Sequence, residues 1–353
     1  MELTRNPRVA TVNRRAGDVA PARGRRSSMD FTNETGFPAA LLRTAIDEDR
    51  LSASVLARVT YDIVGTTLRP ADEHPYIVSE APWESPNGPF ECDQPFKTGG
   101  VDLLVFGKAY APSGRETSAM KVSVVLGRFR RDVVVIGPRT WTRSGSVLVP
   151  GPPRPFRTVP LELEYAFGGK STWDGMEVPW LDNPKGLGFY IEERQAEGQP
   201  LPMLEDPLNP IRRWNDRPPV MGFGFCPLQS GARLSAALEY DEARMELTRV
   251  KPALYNTAFP HLVAPEAPLG ATVTLVGCTP GAPLAFQLPR AALCATLRLG
   301  DKRYERPLAI EQVGIDVERR KVFLTHRFPF RYRLVRKQLR SVSLTLPPEG
   351  AHA

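Results

Sequence analysis

Four acidic side chains in the middle of the chain have the residue type that general acid–base chemistry needs. They are Asp182, Glu205, Asp206 and Asp241. Two carboxylates on opposite sides of a cleft would allow hydrolysis of a glycosidic bond. Each of the four also fits a structural role, because short carboxylates in proline-rich coil accept hydrogen bonds from nearby main-chain N–H groups. The sequence therefore favours turn-forming carboxylates and leaves a carbohydrate-active hydrolase as the alternative.

The histidines and cysteines do not form a catalytic or metal-binding pattern. The four cysteines, Cys92, Cys226, Cys278 and Cys294, include no pair with the C-x-x-C spacing of zinc sites. His326 lies in a strand-like run, and we expect it to be half-buried with one hydrogen bond and not to act as a base. Nucleophile-elbow, metalloprotease, phosphate-loop and dinucleotide-binding motifs are absent from the sequence. We predict a protein that is not an enzyme and needs no metal or cofactor, with free thiols that suit a reducing cytoplasm.

Positive charge is concentrated at the start of the sequence. The chain of 353 residues has a formal net charge of +7, and its first 29 residues hold seven arginines against two carboxylates. Residues 1–28 lack hydrophobic periodicity, so we predict a disordered basic tail there. The remaining chain is nearly neutral, which argues against nucleic acid as a partner. No apolar run is long enough for a secretory signal or a membrane span, so no membrane partner is expected.

Alternating apolar residues predict that strands are the elements that position the candidate acidic and histidine side chains. Residues 52–61 alternate with a period of two, as a strand with one buried face does. Similar short runs, separated by turn residues, continue to residue 346, and the clearest helix signals are at residues 188–197 and 235–249. The predicted fold class is all-β, with two β-sandwich-like halves joined by a long ordered proline-rich segment and one or two short helices.

Proline divides the chain into units. Fourteen prolines between Pro150 and Gln229 exclude long helices and central strands from that stretch. Aromatic and aliphatic residues recur through the same stretch, so we expect it to be ordered and packed. The predicted units are the disordered basic tail (1–28), an N-terminal β domain (29–169), an ordered proline-rich connecting segment with short helices (170–260) and a C-terminal β domain (261–347).

A basic stretch with alternating aromatic residues lies near the end of the chain. Between residues 327 and 340, Arg331 and Arg333 alternate with Phe330 and Tyr332, which gives one basic and one apolar strand face. One interpretation is a solvated edge strand whose charges prevent aggregation. The other is a docking face for an acidic protein.

An ordered series of short motifs resembles a bacterial family of type VI secretion adaptor or chaperone proteins, built on a domain of unknown function. The motifs include Glu91-Cys-Asp93, Lys97-Thr-Gly-Gly-Val-Asp102, Gly137-Pro-Arg-Thr-Trp141, Glu164-Tyr-Ala-Phe-Gly-Gly169, Asn183-Pro-Lys-Gly-Leu-Gly-Phe189, Leu201-Pro-Met-Leu-Glu-Asp-Pro207, Pro219-Val-Met-Gly-Phe-Gly224, Tyr240-Asp-Glu242 and Tyr255-Asn-Thr-Ala258. The resemblance implies a cytoplasmic protein without enzymatic activity. It also implies two partners, a secreted effector protein and the secretion spike protein onto which the effector is loaded.

The middle segment and the loop 86–100 are the expected contact surface for these partners. A rigid scaffold that presents loops and strand edges binds proteins at a low ordering cost. The function predicted is therefore a non-enzymatic adaptor or chaperone that binds a type VI secretion effector, with the hydrolase as the alternative. The candidate protein-binding residues are Asp93, Lys97, Asp182, Asn183, Glu205, Asp206, Tyr240, Asp241, Asn256, Arg331 and Arg333.

Overall fold

The structure is a computed structural model, and it describes residues 29–335 and 338–347. Strands dominate this part of the chain, together with two α-helices and four short 3₁₀ helices. The prediction of an all-β fold is therefore confirmed. The predicted basic tail, residues 1–28, lies outside the described residues.

The elements are numbered in chain order. The strands are β1 Asp30–Asn33, β2 Ala39–Ala45, β3 Arg50–Val64, β4 Thr67–Pro70, β5 Trp83–Ser85, β6 Gly88–Phe90, β7 Val101–Phe106, β8 Lys108–Tyr110, β9 Ala119–Leu126, β10 Phe129–Ile136, β11 Trp141–Ser144, β12 Val147–Pro150, β13 Thr158–Pro160, β14 Phe167–Gly168, β15 Lys170–Trp173, β16 Met176–Pro179, β17 Leu187–Gly188, β18 Leu204–Glu205, β19 Leu238–Asp241, β20 Glu246–Val250, β21 Val263–Ala264, β22 Thr272–Val276, β23 Leu284–Gln287, β24 Cys294–Leu299, β25 Lys302–Pro307, β26 Ala309–Asp316, β27 Lys321–Arg333 and β28 Arg340–Thr345. The α-helices are α1 Glu193–Ala196 and α2 Gly231–Ala237, and the 3₁₀ helices are Pro112–Gly114, Leu163–Tyr165, Pro252–Tyr255 and Pro260–Leu262.

A seven-stranded sheet joins strands from both predicted β domains. Its order is β2-β3-β27-β26-β7-β21, with β4 also paired to β3. Strand β27 pairs antiparallel with β3 over thirteen residues. On its other side β27 pairs with β26, which pairs in parallel with β7. The long strands at the start and the end of the chain are therefore neighbours in one sheet.

Two further sheets also combine strands from both predicted β domains. The five-stranded sheet has the order β18-β10-β9-β22-β23, and the four-stranded sheet has the order β1-β28-β24-β25. Buried side chains from all three sheets belong to one hydrophobic cluster. Residues 29–169 and 261–347, which we expected as two halves, thus share sheets and a core. The physical reason is that strand edges left unpaired in the first segment are completed by hydrogen bonds from the second.

Strand β3 is buried on both faces, and this arrangement positions the site. The period-two pattern predicted one buried face, and Val55 and Ala57 on that face do lie in the core. The opposite face carries Ser54 and Arg58, which are also buried. The loop between β6 and β7, residues 91–100, lies over this face and is called the covering loop. The Ser54 hydroxyl donates a 2.8 Å hydrogen bond to the Pro95 carbonyl of this loop.

The helix predicted over residues 235–249 is wrong. Helix α2 ends at Ala237, and the chain continues as the hairpin β19–β20. The Asp241 carboxylate accepts hydrogen bonds from the main-chain N–H groups of Ala243, at 3.0 Å, and Arg244, at 3.2 Å. This local turn competes with helix formation. The helix predicted over residues 188–197 is reduced to α1.

The proline-rich segment is packed through a second, smaller hydrophobic cluster. Trp141 and Leu148 of that cluster precede the segment, so the cluster ties the segment to the N-terminal strands. The buried members of the cluster are Trp141, Leu148, Phe167, Phe189, Ala196, Leu201 and Ile211.

Within the described ranges, no helix is long and apolar enough to cross a membrane.

The close approach of two central strands gives a stability prediction. Gly314 of β26 lies opposite Phe323 of β27, and a Cβ at Gly314 would come within 2.0 Å of the Phe323 ring. Gly314→Ala must displace the ring or the strand, so we expect the free energy of unfolding to fall by about 1–3 kcal/mol. Urea denaturation measures this change.

The matched control is Gly281→Ala, since a Cβ at Gly281 would meet no atom within 4 Å. We expect this control to change the free energy of unfolding by less than about 0.5 kcal/mol. Equal effects of the two substitutions would show that the strands β26 and β27 are not packed as described.

Candidate functional site

A cavity of about 560 Å³ lies against the face of the seven-stranded sheet that is opposite to the face of Val55 and Ala57. The sheet contributes Arg58 of β3, Asp102 of β7, Gln312 of β26 and Arg327 of β27. Residues 90–98 and the beginning of α2 form its walls. Buried charges are costly unless they are paired and hydrogen-bonded, so the partners of each charged group decide what this site can do.

Arg58 is the central side chain of the cavity floor. Its side chain is about 1% exposed, and its Nη2 lies 2.6 Å from Asp93 Oδ1. The Arg58 Nε donates to Thr325 Oγ1 at 2.9 Å, and the guanidinium lies 4.4 Å from the centre of the Phe90 ring. Asp93 also accepts a 2.9 Å hydrogen bond from the Ser79 N–H. The ion pair therefore ties the covering loop to the middle of the sheet.

A second buried ion pair joins neighbouring strands. Arg327 Nε lies 2.5 Å from Glu311 Oε2, and both side chains are buried. The Arg327 Nη1 donates to the Gln94 carbonyl of the covering loop. Burial raises the pKa of Glu311, and the positive charge of Arg327 opposes this shift. Arg327 belongs to the basic stretch that the sequence placed on an exposed face, but it is buried because this part of β27 is central in the sheet.

A third ion pair joins α2 to the covering loop at the wall of the cavity. Arg233 Nη1 lies 2.8 Å from Glu91 Oε2 and donates to the Cys226 carbonyl at 3.0 Å. The Arg233 Nε donates to the Leu254 carbonyl at 2.9 Å, and the other Glu91 oxygen accepts from the Leu228 N–H at 2.7 Å. One guanidinium thus connects three separate segments of chain.

Asp102 is a buried carboxylate held by neutral donors. It accepts hydrogen bonds from Asn256 Nδ2 at 2.8 Å, from the Thr257 N–H at 2.7 Å and from Thr257 Oγ1 at 3.0 Å. Burial raises the pKa of Asp102, while these hydrogen bonds act in the opposite direction. Asn256 also accepts from the Gly99 N–H at 2.8 Å, so it links Asp102 to the loop before β7.

These seven side chains form one charged cluster, and its contacts suit binding more than catalysis. Its carboxylates accept from arginines or from amide and hydroxyl donors of their own chain, so they are poorly placed to exchange protons with a substrate. In the described part of the chain, no group of three His, Cys, Asp or Glu side chains could hold a metal ion. The charged cluster consists of Arg58, Glu91, Asp93, Asp102, Arg233, Glu311 and Arg327.

Among the predicted site residues, Asp93 lines the cavity, and Asn256 lies behind its wall with a hydrogen bond to Asp102. The exposed Lys97 is on the same covering loop and lines a neighbouring cavity with Glu311. Arg331 and Arg333 are exposed on the end of β27, where this strand pairs with β3 only. The edge-strand interpretation thus applies to the last residues of β27 and not to its first half.

Glu205 and Asp206 brace the main chain of the middle segment. The buried Glu205 pairs with Arg139 and accepts from the Ile211 N–H at 3.2 Å. Asp206 accepts from the Leu208 N–H at 2.9 Å and from the Asn209 side chain at 2.6 Å. These contacts are those of the turn-forming interpretation.

The turn predicted at Asp182 is made by its neighbour. Asn183 Oδ1 accepts from the Lys185 N–H at 3.3 Å, and its Nδ2 donates to the Leu163 and Phe167 carbonyls at 2.8 and 3.1 Å. Burial raises the pKa of Asp182, whose carboxylate lies beside Gly231 at the start of α2. Tyr240, by contrast, is exposed on the hairpin β19–β20, next to the turn-forming Asp241.

Of the charged cluster, the sequence pointed only to Asp93 as a site residue. The members that it missed are Arg58, Glu91, Asp102, Arg233, Glu311 and Arg327. Arg58 carried a usable signal, since it is the one charged residue in the mostly apolar run of residues 51–61. A charge at such a position needs a buried partner if both strand faces are covered. The partners come from residues far along the chain, and the sequence offered no way to pair them.

His326 differs from the prediction of a half-buried ring with one hydrogen bond. It is about 1% exposed, and neither ring nitrogen has a hydrogen-bond partner among the described residues. Its strand position is opposite Ala57, on the core face of β3. Desolvation lowers the pKa of His326 to about 4.

The fold and the cavity define an all-β protein with a buried charged cluster beneath its covering loops. The bacterial family described as "uncharacterized protein conserved in bacteria (DUF2169)" matches residues 48–327, and the chain belongs to this family. The expected resemblance to a bacterial domain of unknown function is confirmed. The matched range contains every member of the charged cluster and ends at Arg327. The search of curated proteins found no match, and neither did the search of solved structures.

The Arg58–Asp93 pair gives a second stability prediction. Arg58→Met removes the cation and leaves Asp93 buried without a charge partner, so we expect a loss of about 3–5 kcal/mol of unfolding free energy. The control is Lys108→Met, which breaks an exposed 2.8 Å pair with Glu318 and should cost at most about 1 kcal/mol. Denaturant titration of both variants measures the difference, and similar small losses would mean that the cluster does not hold the loop.

His326 makes stability depend on pH. The unfolded chain takes up the His326 proton near pH 6.5, whereas the folded chain does so only near pH 4. Stability therefore falls as the pH falls from about 6.5 to 4, by about 3 kcal/mol in total for this residue. His326→Gln removes this dependence. As the pH falls from about 6.5 to 4, the free energy of unfolding of this variant should therefore rise relative to that of the unsubstituted protein. A difference that stays constant between pH 8 and pH 4 would contradict the burial of an uncharged ring.

Proposed function

We propose that the protein is a non-enzymatic adaptor or chaperone that binds a type VI secretion effector in the cytoplasm and helps to load it onto the spike protein. The ordered motif series supports the family role, and the observation that carries the proposal is the surface of the middle segment. Two hairpins there expose large apolar side chains. Exposed aromatic and aliphatic groups on rigid elements are typical of protein-binding surfaces.

The hairpin β15–β16 has an apolar tip. Trp173 and Met176 are a cross-strand pair, joined by a tight turn in which Asp174 and Gly175 have positive φ angles. Trp173 is 54% exposed and Met176 is 64% exposed. Tryptophan is one of the residues that are enriched among those that contribute most binding energy at protein interfaces. The turn holds both side chains in place before binding, which lowers the ordering cost of association.

The hairpin β19–β20 extends the same kind of surface. Tyr240 and Leu247 are cross-strand neighbours and are exposed. Met245, in the turn between the strands, is 87% exposed. Methionine side chains adapt to differently shaped partners, which suits the recognition of an effector protein.

The middle-segment carboxylates support binding over the hydrolase alternative. Glu205 is neutralised by Arg139, and Asp206 and Asp241 accept hydrogen bonds from adjacent N–H groups. A glycosidase needs one carboxyl group that can donate a proton and a second that can act as base or nucleophile across the scissile bond. Asp206 and Asp241 sit in turns of their own segments, where their hydrogen bonds serve the main chain.

The hairpin tip supplies the test of this proposal. The double variant Trp173→Ala/Met176→Ala should lose at least tenfold in affinity for the effector, because it removes both apolar anchors. Pull-down from the native cytoplasm with mass spectrometry identifies the effector, and calorimetry with the purified proteins measures affinity. Melting temperature should stay unchanged, since both side chains are on the surface.

The control is Leu339→Ala, which removes an apolar side chain that is 84% exposed outside the middle segment. It should bind the effector as the unsubstituted protein does. Unchanged affinity of the double variant would rule out this hairpin as the contact surface. If the protein captures neither an effector nor a spike protein, and hydrolyses a glycan in a way that Asp206→Asn abolishes, the hydrolase alternative is correct.

A further inference from the structure

The charged cluster holds one more carboxylate than guanidiniums. The pairs Arg58–Asp93, Arg233–Glu91 and Arg327–Glu311 each balance one positive and one negative charge. Asp102 remains, and among the described residues its hydrogen bonds come from amide and hydroxyl groups and not from a cation. The negative charge of Asp102 also acts on the nearby Glu311. A cation is the group that would complete this part of the cavity.

Two guanidiniums also keep donors for a ligand. Arg233 and Arg327 are both more than nine-tenths buried and line the cavity. Arg233 uses Nε and Nη1 for its hydrogen bonds, and Arg327 does the same. Neither Nη2 has a hydrogen-bond partner within the part of the chain that the structure describes, and neither is a fully buried atom. These accessible donors suit carbonyl oxygens brought by a bound molecule.

Aromatic rings form the apolar walls. Phe96 and Tyr255 are stacked with their ring centres 4.7 Å apart, and both line the cavity together with Phe90. The aliphatic stem of a lysine or arginine packs well on such rings, and its charged head is attracted to their faces. The cavity thus offers an anionic end, guanidinium donors and an apolar wall.

We infer that this cavity binds a basic side chain, arginine or lysine, presented by an extended peptide segment of a partner protein. Asp102 and the adjacent Glu311 attract the cation, the Nη2 groups of Arg233 and Arg327 bind main-chain carbonyls, and Phe96 and Tyr255 contact the stem. The volume of about 560 Å³ accommodates the residue and parts of its neighbours. The inference rests on the proposed adaptor function only for the identity of the partner, the effector.

The test uses three short peptides and the full chain. Calorimetry compares Ac-Gly-Arg-Gly-NH₂ with the same peptide carrying citrulline, which has the shape of arginine without its charge, and with a glutamate peptide. We expect the arginine peptide to bind at least tenfold more tightly than the citrulline peptide, and the glutamate peptide not to bind. The preference for arginine should weaken with added salt.

Asp102→Asn should abolish the preference for arginine over citrulline. The matched control is Asp62→Asn, which changes a partly exposed aspartate of β3 that pairs with Lys321, and it should keep the preference. If Asp102→Asn does not fold, the comparison of the peptides on the unsubstituted protein still decides the question. Equal binding of arginine and citrulline peptides, binding of neither at millimolar concentration, or tighter binding of the glutamate peptide would overturn the inference.

The peptide experiment is independent of the adaptor test. Trp173→Ala/Met176→Ala should bind the arginine peptide normally, because the hairpin tip does not line the cavity. Arginine-selective binding without capture of any effector would support the cation site and contradict the effector as its partner. Effector binding that is unaffected by Asp102→Asn, in a variant that folds, would instead place the effector elsewhere on the surface.

Discussion

Three guanidinium–carboxylate pairs, two of them buried and the third partly exposed at Glu91, are the constraint on which the rest of the structure depends. Arg58 and Arg327 come from adjacent strands of the seven-stranded sheet, and their contacts with Asp93 and the Gln94 carbonyl hold the covering loop. Arg233 attaches α2 to the same loop through Glu91. Because an unpaired buried charge is very costly, the strands, the loop and the helix can reach low energy only together.

A buried ionic cluster is not the most economical way to stabilise a protein. Replacement of such pairs by well-packed apolar side chains is often neutral or stabilising. The charged side chains therefore serve to orient the groups around the cavity more than to stabilise the fold. Each guanidinium holds main-chain carbonyls and carboxylates in a defined arrangement. That arrangement, together with the extra carboxylate of Asp102, is why the cavity suits a ligand. The apolar hairpin tips of the middle segment form a separate surface, so one scaffold presents a charged recess and hydrophobic anchors in different places.

Local patterns predicted the strands well and the helices poorly. The period-two alternation predicted a strand over residues 52–61, and these residues belong to β3. The turn residues near Pro280 and Pro283 separate β22 from β23. The helix expected over residues 235–249 failed, because the Asp241 side chain forms a turn that converts the stretch into a hairpin. At Asp206 the predicted role as a main-chain acceptor is the observed one, since that role depends only on residues two or three positions away.

The sequence by itself determined the all-β class, the packed character of the proline-rich segment and the turns made by short carboxylates. These properties depend on side-chain periodicity, on the missing N–H group of proline and on contacts within a few residues. The tertiary structure alone decided that β3 and β27 are neighbours, that Arg327 is buried and that Asp102, Arg233 and Glu311 meet at one cavity. Pairing between strands more than 250 residues apart depends on the complementarity of whole edges and faces. No local pattern in the chain encodes that complementarity.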